Sequence, residues 1–425
     1  MERILAQIDD LVRKYYEDLF KKQNDGIDKI FLSEPAYDSR EAIAAIRTIL
    51  GGWISQGPNV KKFEAVFSGY TGRDIGIAVN SGSSANLLAI QAIKEVYGLK
   101  DGDEVIVPAA TFSTVVMPLI QVGLTPVYVD VKRDTLNMDP AQVENAISDR
   151  TRVLMPVHTL AYPAEMPKLM EIAERNDLIV FEDCCEAHGS SIDGKRVGSF
   201  GEIATFSFFV AHNMTTGEGG MIVTNNEKLE KACRSLREFG RIAQKDPIKD
   251  RYYTDDVLKD FDRRYVFDRI GYNLRMTDIT AAFGIEQLAK LDEMNEQRRS
   301  NASFLSERLM KEAGAFLDVP IEQAGYRHTY YTFPITLKEN VPFTRREFAE
   351  HLEANKIETR PLFAGCLPDQ PAFRGVPGRV VGELPNSRYL RDNLVFIGIH
   401  PGLKEKHLKY ISDLILKYIK DKTGK

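Results

Sequence analysis

The strongest constraint on the fold is an alternation of strand-like and helix-like segments that begins near residue 75. Seven apolar runs have the length and side chains typical of strands, at 75–79, 104–107, 125–129, 153–157, 179–181, 203–208 and 220–224. Helical periodicity lies between several of them, at 84–96, 112–122 and 164–175. This order predicts an α/β domain with a large, mostly parallel, seven-stranded sheet that helices cover on both faces.

The segments on either side of this domain have other patterns. Residues 4–20 have the spacing of an amphipathic helix, and a long helical stretch runs from Thr277 to about Lys311. Strand-like runs return at 331–337 and 394–399. We therefore predict an N-terminal helix and arm over 1–60, a large domain over 61–300 and a smaller C-terminal α+β domain over 301–425.

Composition and charge exclude several classes of function. The formal net charge of -5 and the pI near 5.9 provide no basic surface of the kind that nucleic acid requires. No apolar run approaches the roughly 18 residues of a membrane span, and no long apolar stretch precedes Asp9 and Asp10 at the N-terminus. We expect a cytoplasmic protein that binds neither nucleic acid nor a membrane.

The cysteines do not predict a metal site. There are four of them, Cys184, Cys185, Cys233 and Cys366, with no Cys-x-x-Cys pair and no spacing typical of zinc ligands. Cys184 and Cys185 directly follow an apolar run, where small buried hydrophobic side chains are common. We expect no bound metal.

Polar segments follow several of the predicted strands, where open parallel sheets bind their ligands. Residues 80–86 open a helix and could surround a phosphate with amides and hydroxyls, although a serine-rich helix cap explains them equally well. Asp183 ends another strand, where it could pair with a cationic ring nitrogen or cap a helix. The third segment, 206–220, begins with Phe-Ser-Phe and ends with Thr-Thr-Gly-Glu-Gly-Gly.

These segments, in this order and followed by Gly-Tyr-Asn-Leu-Arg-Met-Thr-Asp at 271–278, resemble the DegT/DnrJ/StrS sugar aminotransferases over nearly the whole chain. The resemblance implies a homodimer with an aspartate-aminotransferase-type (fold type I) fold and pyridoxal 5'-phosphate (PLP) on the large domain. It also implies a set of coenzyme contacts: Ser83, Ser84 and Ser207 at the phosphate, Phe112 on the ring, Asp183 at the pyridine nitrogen, Glu186 near the ring hydroxyl, and Asn273 reaching the phosphate of the neighbouring subunit.

The sequence departs from the family pattern at one position. The lysine expected five residues after Ser207 is His212, and no lysine occurs from Phe206 to Thr224. An imidazole cannot form the Schiff base of the usual lysine, so the coenzyme would be held without a covalent tether. The family's histidine variants are 3-dehydratases of nucleotide-linked 4-keto-6-deoxyhexoses, which implies that His212 is the catalytic base. An unperturbed pKa near 6.5, against about 10.4 for lysine, suits an imidazole to remove a proton from the coenzyme's amine carbon.

Two subgroups share this histidine. The CDP-4-keto-6-deoxyglucose 3-dehydratases also carry a [2Fe-2S] cluster on four cysteines, but no cysteine occurs here from Arg234 to Gly365, so we expect no iron–sulfur cluster. The chain then resembles the GDP-4-keto-6-deoxymannose 3-dehydratases, in which L-glutamate restores the pyridoxamine 5'-phosphate form of the coenzyme. A nucleotide-sugar aminotransferase and a catalytically silent coenzyme-binding homologue are the alternatives. GDP, CDP and dTDP all stay open as the nucleotide.

Overall fold

The computed structural model describes residues 2–21, 29–34, 36–243, 251–339 and 341–424. The helices in these ranges are α1 (Glu2–Lys21), α2 (Ser39–Leu50), α3 (Pro58–Thr71), α4 (Gly82–Tyr97), α5 (Ser113–Gln121), α6 (Pro140–Ala146), α7 (Met166–Arg175), α8 (Glu227–Arg237), α9 (Asp278–Ala313), α10 (Arg345–Ala354), α11 (Pro385–Asn393) and α12 (Glu405–Thr423). The strands are β1 (Ile75–Val79), β2 (Glu104–Pro108), β3 (Thr125–Val129), β4 (Thr151–Leu154), β5 (Ile179–Asp183), β6 (Ser191–Ile192), β7 (Lys195–Arg196), β8 (Ile203–Ser207), β9 (Gly220–Thr224), β10 (Tyr252–Tyr253), β11 (Phe261–Asp262), β12 (Leu317–Asp318), β13 (Tyr326–Arg327), β14 (Phe333–Leu337), β15 (Thr359–Pro361), β16 (Arg379–Val380) and β17 (Leu394–Ile397).

The largest sheet has the strand order β1-β9-β8-β5-β4-β2-β3-β16. Within it, β9 pairs antiparallel with both of its neighbours, and the other pairs are parallel, which confirms the predicted α/β class. The predicted number of seven strands is wrong, because β16 adds an eighth strand at the edge. Arg379 and Val380 of β16 lie opposite Val127 and Tyr128 of β3. A strand of two residues contains no periodic pattern that a sequence could reveal.

The sheet is buried because helices pack on both of its faces. Strands β2 and β8 are buried along their whole length, as strands covered on two sides are. One face packs against a core that includes Leu88 and Ile93 of α4. The other packs partly against a core with Phe63 and Phe67 of α3. These two layers fix the carboxyl ends of β1, β5 and β8 relative to one another.

Helix α9 joins the large sheet to a second core. Thr277 caps its N-terminus by accepting a hydrogen bond from the Thr280 backbone N–H at 3.3 Å. The first half of α9 contacts α2 and α3, whereas Leu305 and Leu309 belong to a core shared with α12 and the sheet β12-β14-β17-β15. The helix therefore passes through residue 300, where the sequence placed a domain boundary, and the division into three domains stays a prediction. None of the helices in the described part of the chain has the length and apolarity needed to cross a membrane.

Candidate active site

A cavity of about 310 Å³ opens at the carboxyl ends of β1, β5 and β8. Six of the eight side chains predicted from the sequence lie on its walls: Ser83, Phe112, Asp183, Glu186, Ser207 and His212. They come from four separate segments of the chain, and the parallel sheet brings those segments to one edge. We call this cavity the inner chamber.

The other two predicted residues, Ser84 and Asn273, are not on its walls. The Ser84 backbone N–H donates to the Ser81 hydroxyl at 3.1 Å, and the two hydroxyl oxygens are 2.9 Å apart, so Ser84 belongs to the cap of α4. Ser81 lines the chamber instead. Asn273 is exposed, forms a β-bridge with Glu238 and accepts a hydrogen bond from Arg275 Nε at 3.3 Å. Its expected contact with a neighbouring subunit stays a prediction.

The N-terminus of α4 forms one end of the chamber and fits a phosphate. Gly82 is the first residue of the helix, and a Cβ atom there would collide with Ser207 Cβ and lie 2.9 Å from Ser207 Oγ. Glycine therefore allows the helix end to approach the Ser207 hydroxyl closely. Free backbone amides and the positive end of the helix dipole favour an anion at such a position.

Asp183 is buried and its carboxylate is fixed by two hydrogen bonds. Oδ2 accepts from Asn86 Nδ2 at 2.8 Å, and Oδ1 accepts from the Cys185 backbone N–H at 3.0 Å. Asn86 is itself fixed, because its Oδ1 accepts from the Thr205 hydroxyl at 2.6 Å. No lysine or arginine among the described residues pairs with Asp183, so the carboxylate is free to pair with a cationic ring nitrogen. Sequence reasoning gave Asn86 no role, although it ends the quoted motif at 81–86.

Glu186 faces the chamber while one of its oxygens is held by the backbone. Oε2 accepts from the Leu160 N–H at 2.7 Å. Leu160 has φ of 52°, a left-handed conformation that is uncommon for leucine and turns its amide toward the carboxyl group. Burial raises the pKa of Glu186 to about 8, although the hydrogen bond from Leu160 acts to lower this pKa. The side chain is therefore protonated at neutral pH and can donate a hydrogen bond to a ring hydroxyl.

His212 has a defined tautomer. Its Nδ1 lies 2.9 Å from the Ser207 carbonyl oxygen, which can only accept, so Nδ1 carries the proton and Nε2 has a free lone pair. The ring packs edge-on against Tyr331, with 5.3 Å between the ring centroids. Burial lowers the pKa of His212 to about 4, against the raising effect of the Ser207 hydrogen bond. The imidazole is thus neutral and can accept a proton, but it is a weaker base than its unperturbed pKa suggests.

Three further polar residues on the chamber wall were missed by the sequence reasoning. The hydroxyls of Thr111 and Thr159 are buried without a hydrogen-bond partner in the described part of the chain. Tyr331 completes the wall beside His212. An unpaired buried hydroxyl is costly, which indicates that a polar ligand fills this space. No sequence pattern distinguishes these residues, since each lies in an apolar run or a turn.

A second polar cluster lies behind the sheet end and has a structural explanation. Polar atoms of His158, Glu182 and Cys184 lie within 4.8 Å of one another, close enough to hold a metal ion. However, Glu182 already accepts hydrogen bonds from the backbone amides of Gly198 and Gly201 at 2.8 and 2.7 Å, and from a third amide nearby. Burial raises the pKa of the Cys184 thiol well above its ordinary value, which disfavours the thiolate that a metal needs. The cluster is better explained as an anchor for the loop 196–201.

The chain matches the DegT/DnrJ/EryC1/StrS aminotransferase family over residues 36–416. It is 38% identical over 384 residues to the lipopolysaccharide biosynthesis protein RfbH of Salmonella typhimurium, covering 88% of each chain. It is 34% identical to the dTDP-4-dehydro-2,6-dideoxy-D-glucose 3-dehydratase of Saccharopolyspora spinosa, covering 98% of this chain and 92% of that protein. Among solved structures it is similar to the Escherichia coli GDP-4-keto-6-deoxy-D-mannose 3-dehydratase with bound hydrated PLP, with a TM-score of 0.84, 30% identity and coverage of 92% of this chain and 100% of that chain.

These comparisons confirm the family resemblance and the expected fold type. Relatives named as dehydratases and relatives named as GDP-perosamine synthases both occur among the matches, so the likeness shows the family and leaves open which of the two reactions this chain catalyses. The matched region contains every described element that lines the inner chamber. The chain belongs to the DegT/DnrJ/EryC1/StrS aminotransferase family.

Proposed function

We propose that this protein is a PLP- and pyridoxamine-phosphate-dependent 3-dehydratase of a nucleotide-linked 4-keto-6-deoxyhexose, with His212 as its catalytic base. One observation carries the proposal: the imidazole of His212 lies on the same chamber wall as Asp183 and the anion-binding end of α4. The described wall residues include no lysine. A site without lysine cannot hold the coenzyme covalently, yet it keeps the contacts that a coenzyme needs.

The described residues fit the coenzyme from both ends. Ser83, Ser207 and the first amides of α4 would hold its phosphate, and Asp183 would pair with its pyridine nitrogen. Glu186, which is protonated, would donate to the ring hydroxyl, and Phe112 would cover one ring face. When bound, the coenzyme supplies an electron sink that acidifies the carbon bearing its amine.

His212 then moves protons on one side of the chamber. Its Nε2 lone pair would take the proton from that amine-bearing carbon, while the Nδ1–H bond to the Ser207 carbonyl holds the ring in orientation. The resulting imidazolium would protonate the C3 hydroxyl as it leaves. The rings of Phe209 and Tyr331 pack edge-on against His212, with 6.1 and 5.3 Å between ring centroids, and form the wall beside it.

Solved structures of relatives support the coenzyme and the amino donor. The similar solved structure carries PLP, and another structure of a dehydratase of the same name holds a trapped PLP–glutamate adduct. We infer that L-glutamate is the amino donor, that the enzyme is a homodimer in which Asn273 completes the neighbouring site, and that no iron–sulfur cluster takes part. The likeness to RfbH supports a role in making a deoxysugar of lipopolysaccharide.

The second candidate is an amino-sugar synthase, which the relatives named GDP-perosamine synthase support. It would need an amine-forming reaction without the usual lysine. A catalytically silent homologue is a third alternative, but the intact contacts of Asp183 and Glu186 argue against it.

Mass spectrometry of the products tests the proposal. The purified protein is given GDP-, CDP- and dTDP-linked 4-keto-6-deoxyhexoses in turn, with glutamate and PLP. A 3-dehydratase yields a 4-keto product one oxygen lighter than its substrate, whereas an amino-sugar synthase yields a 4-amino sugar. A 4-amino sugar as the main product, or no conversion of any of the three, would rule out the proposed activity.

A further inference from the structure

A second cavity of about 500 Å³ adjoins the inner chamber, and we call it the outer chamber. The two share four aromatic walls, namely Phe112, Phe209, Tyr331 and Phe363. The remaining walls of the outer chamber come from five segments of the chain, at 32–33, 210–211, 332, 358–361 and 396. A ligand that reacts beside His212 and is longer than the inner chamber would extend into this space.

The charge in the two chambers is unevenly distributed. The inner chamber has the carboxyl groups of Asp183, Glu186 and Glu218 on its walls, and none of the described residues there is a lysine or arginine. The outer chamber contains one arginine, Arg360, and it is the single lysine or arginine among the described residues that line either space. Any carboxylate of a substrate that enters from this side meets this one cation.

Arg360 has hydrogen-bonding capacity to spare. On β15, its Nη1 donates to the Thr359 carbonyl and its Nη2 donates to Glu358 Oε1, both at 2.7 Å. A guanidinium has five N–H donors, so three are left for a ligand. The side chain is 53% exposed, and its charge reaches Tyr331, where it opposes the rise in pKa that burial causes. Arg360 and Tyr331 both line the outer chamber.

Two neighbours of Arg360 have the properties of ligand contacts. The Thr332 hydroxyl is buried on the wall of the outer chamber and has no hydrogen-bond partner in the described ranges. Glu358 is held by the Leu32 backbone N–H, which donates to its Oε2 at 3.2 Å. One carboxylate oxygen of Glu358 therefore accepts from Arg360, while the other accepts from the backbone of the chamber wall.

We propose that Arg360 and Thr332 bind the distal carboxylate of the amino donor, and that Glu358 takes this position on Arg360 when an uncharged sugar ring replaces the donor. This inference rests on the proposed function, because it locates one substrate of the same site. The amine and the α-carboxylate of glutamate share the carbon that reacts beside His212. Only the distal carboxylate can therefore reach the outer chamber.

The exchange of one carboxylate for another explains how one site accepts two unlike substrates. With glutamate bound, a planar guanidinium can hold a carboxylate through two parallel hydrogen bonds, and the Thr332 hydroxyl adds a third. With the sugar bound, the half-exposed Arg360 keeps the Glu358 carboxylate as its ion-pair partner at 2.7 Å.

The test compares glutamate with 2-aminobutyrate, which has the same reacting amine and lacks the distal carboxylate. Rapid mixing of the PLP-loaded enzyme with each amino acid gives the rate of conversion to the pyridoxamine form. In Arg360→Gln, the ratio of the conversion rate with glutamate to that with 2-aminobutyrate should fall by about 10-fold or more. The rate with 2-aminobutyrate itself should stay within about threefold of the wild-type rate. Arg360→Lys keeps the positive charge but loses the planar guanidinium with its paired N–H donors. It should therefore recover part of this rate ratio.

Calorimetry with glutarate, an unreactive dicarboxylate, measures binding without turnover. Arg360→Gln should weaken glutarate binding by about 10-fold, whereas Glu358→Gln should leave it equal or tighter because a competing carboxylate is removed. Arg346→Gln is the matched control, since Arg346 is exposed on α10 and pairs with Glu350 at 2.7 Å, away from both chambers.

Two outcomes would overturn the inference. One is unchanged glutarate affinity in a folded Arg360→Gln protein. The other is an equal or larger loss of affinity for the sugar nucleotide than for glutarate, which would make Arg360 a phosphate ligand. Because glutarate binding does not involve the sugar, an enzyme that forms no deoxysugar but still binds glutarate through Arg360 would refute the dehydratase assignment alone.

Discussion

At the scale of single residues, His212 contacts the backbone carbonyl of Ser207 and contributes none of the groups that would hold the coenzyme. The phosphate end of the chamber and the Asp183 carboxylate are built by other elements. His212→Asn should therefore change the dissociation constant of PLP by no more than about threefold, while slowing C3 dehydration by about 100-fold or more. Absorbance titration measures the first quantity and product analysis the second. Dehydration at nearly the wild-type rate would show that another group is the base.

The absence of a lysine tether is tested in the same protein. After borohydride treatment and denaturation, wild-type enzyme should release its coenzyme unattached to the chain, because an imidazole forms no Schiff base. His212→Lys should instead yield a phosphopyridoxyl-lysine peptide in the digest, and serves as the positive control. A modified lysine peptide from the wild-type protein would contradict the proposed site.

Glu186 should give the coenzyme-free protein a distinct pH dependence. Its pKa of about 8 in the folded protein is higher than the ordinary 4.5, so the folded state binds this proton more tightly than the unfolded state. The resulting stability is complete below pH 4.5 and is lost as the pH rises through about 8. Relative to wild type, Glu186→Gln should gain of the order of 4 kcal/mol in the free energy of unfolding between about pH 5 and pH 9.

Urea unfolding of the two proteins at both pH values measures this gain. Glu171→Gln, on the exposed side of α7, controls for the general effect of removing a carboxylate. An equal difference between wild type and Glu186→Gln at both pH values would show that Glu186 titrates normally.

At the scale of elements, the close approach of α4 to β8 creates the phosphate end of the chamber. A Cβ atom at Gly82 would collide with Ser207. Gly82→Ala should therefore separate the helix end from the Ser207 hydroxyl and weaken PLP binding by about 10-fold or more. Gly69→Ala in α3 is the control, because a Cβ there meets nothing within 4 Å and alanine favours a helix. Equal PLP affinity in the two variants would mean that this approach is not needed.

The sequence predicted the elements better than their details. Strand β1 lies at 75–79 as predicted, because an apolar run between polar residues defines both of its ends. Helix α4 begins at Gly82, two residues before the predicted start. Ser81 is therefore the N-cap and accepts from the Ser84 backbone N–H, while Ser83 is left on the chamber wall. A periodic pattern locates a helix but not the residue at which its hydrogen bonds begin.

The candidate site was predictable where it depends on strand ends and not where it depends on loops. Asp183 and Ser207 end β5 and β8, and parallel strands bring such residues together. Tyr331 and Thr159 reach the chamber because Leu160 adopts a left-handed turn and accepts a hydrogen bond from the Tyr331 backbone N–H at 3.4 Å. No local sequence pattern encodes that contact between distant segments.

At the scale of the whole molecule, the chain presents apolar side chains that suit a subunit contact. Leu11, Tyr15 and Trp53 are exposed by 68%, 64% and 61%. We expect an obligate dimer in which Asn273→Ala lowers PLP affinity without dissociating the subunits. Light scattering and coenzyme titration test the two parts. An active monomer would contradict the expected role of Asn273 in a neighbouring site.

The distribution of the cysteines predicts the metal content of the purified protein. Cys184 and Cys185 follow β5, Cys233 lies in α8, and Cys366 precedes a short 3₁₀ helix, so these thiols come from three separate elements. A [2Fe-2S] cluster needs four ligands around one centre. We expect less than stoichiometric iron in elemental analysis and full activity without a reductase. An absolute requirement for an electron donor would contradict this.

The edge strand β16 has a consequence for recombining this chain with its relatives. Arg379 donates to both oxygens of Glu104 on β2, at 3.2 and 2.7 Å, so the C-terminal part of the chain completes a sheet built by the N-terminal part. A chimaera joined near residue 300 would place a foreign edge strand against β3 and leave the buried Glu104 carboxylate without this partner. Exchangeable modules in this family must therefore include β2, β3 and β16 from the same parent.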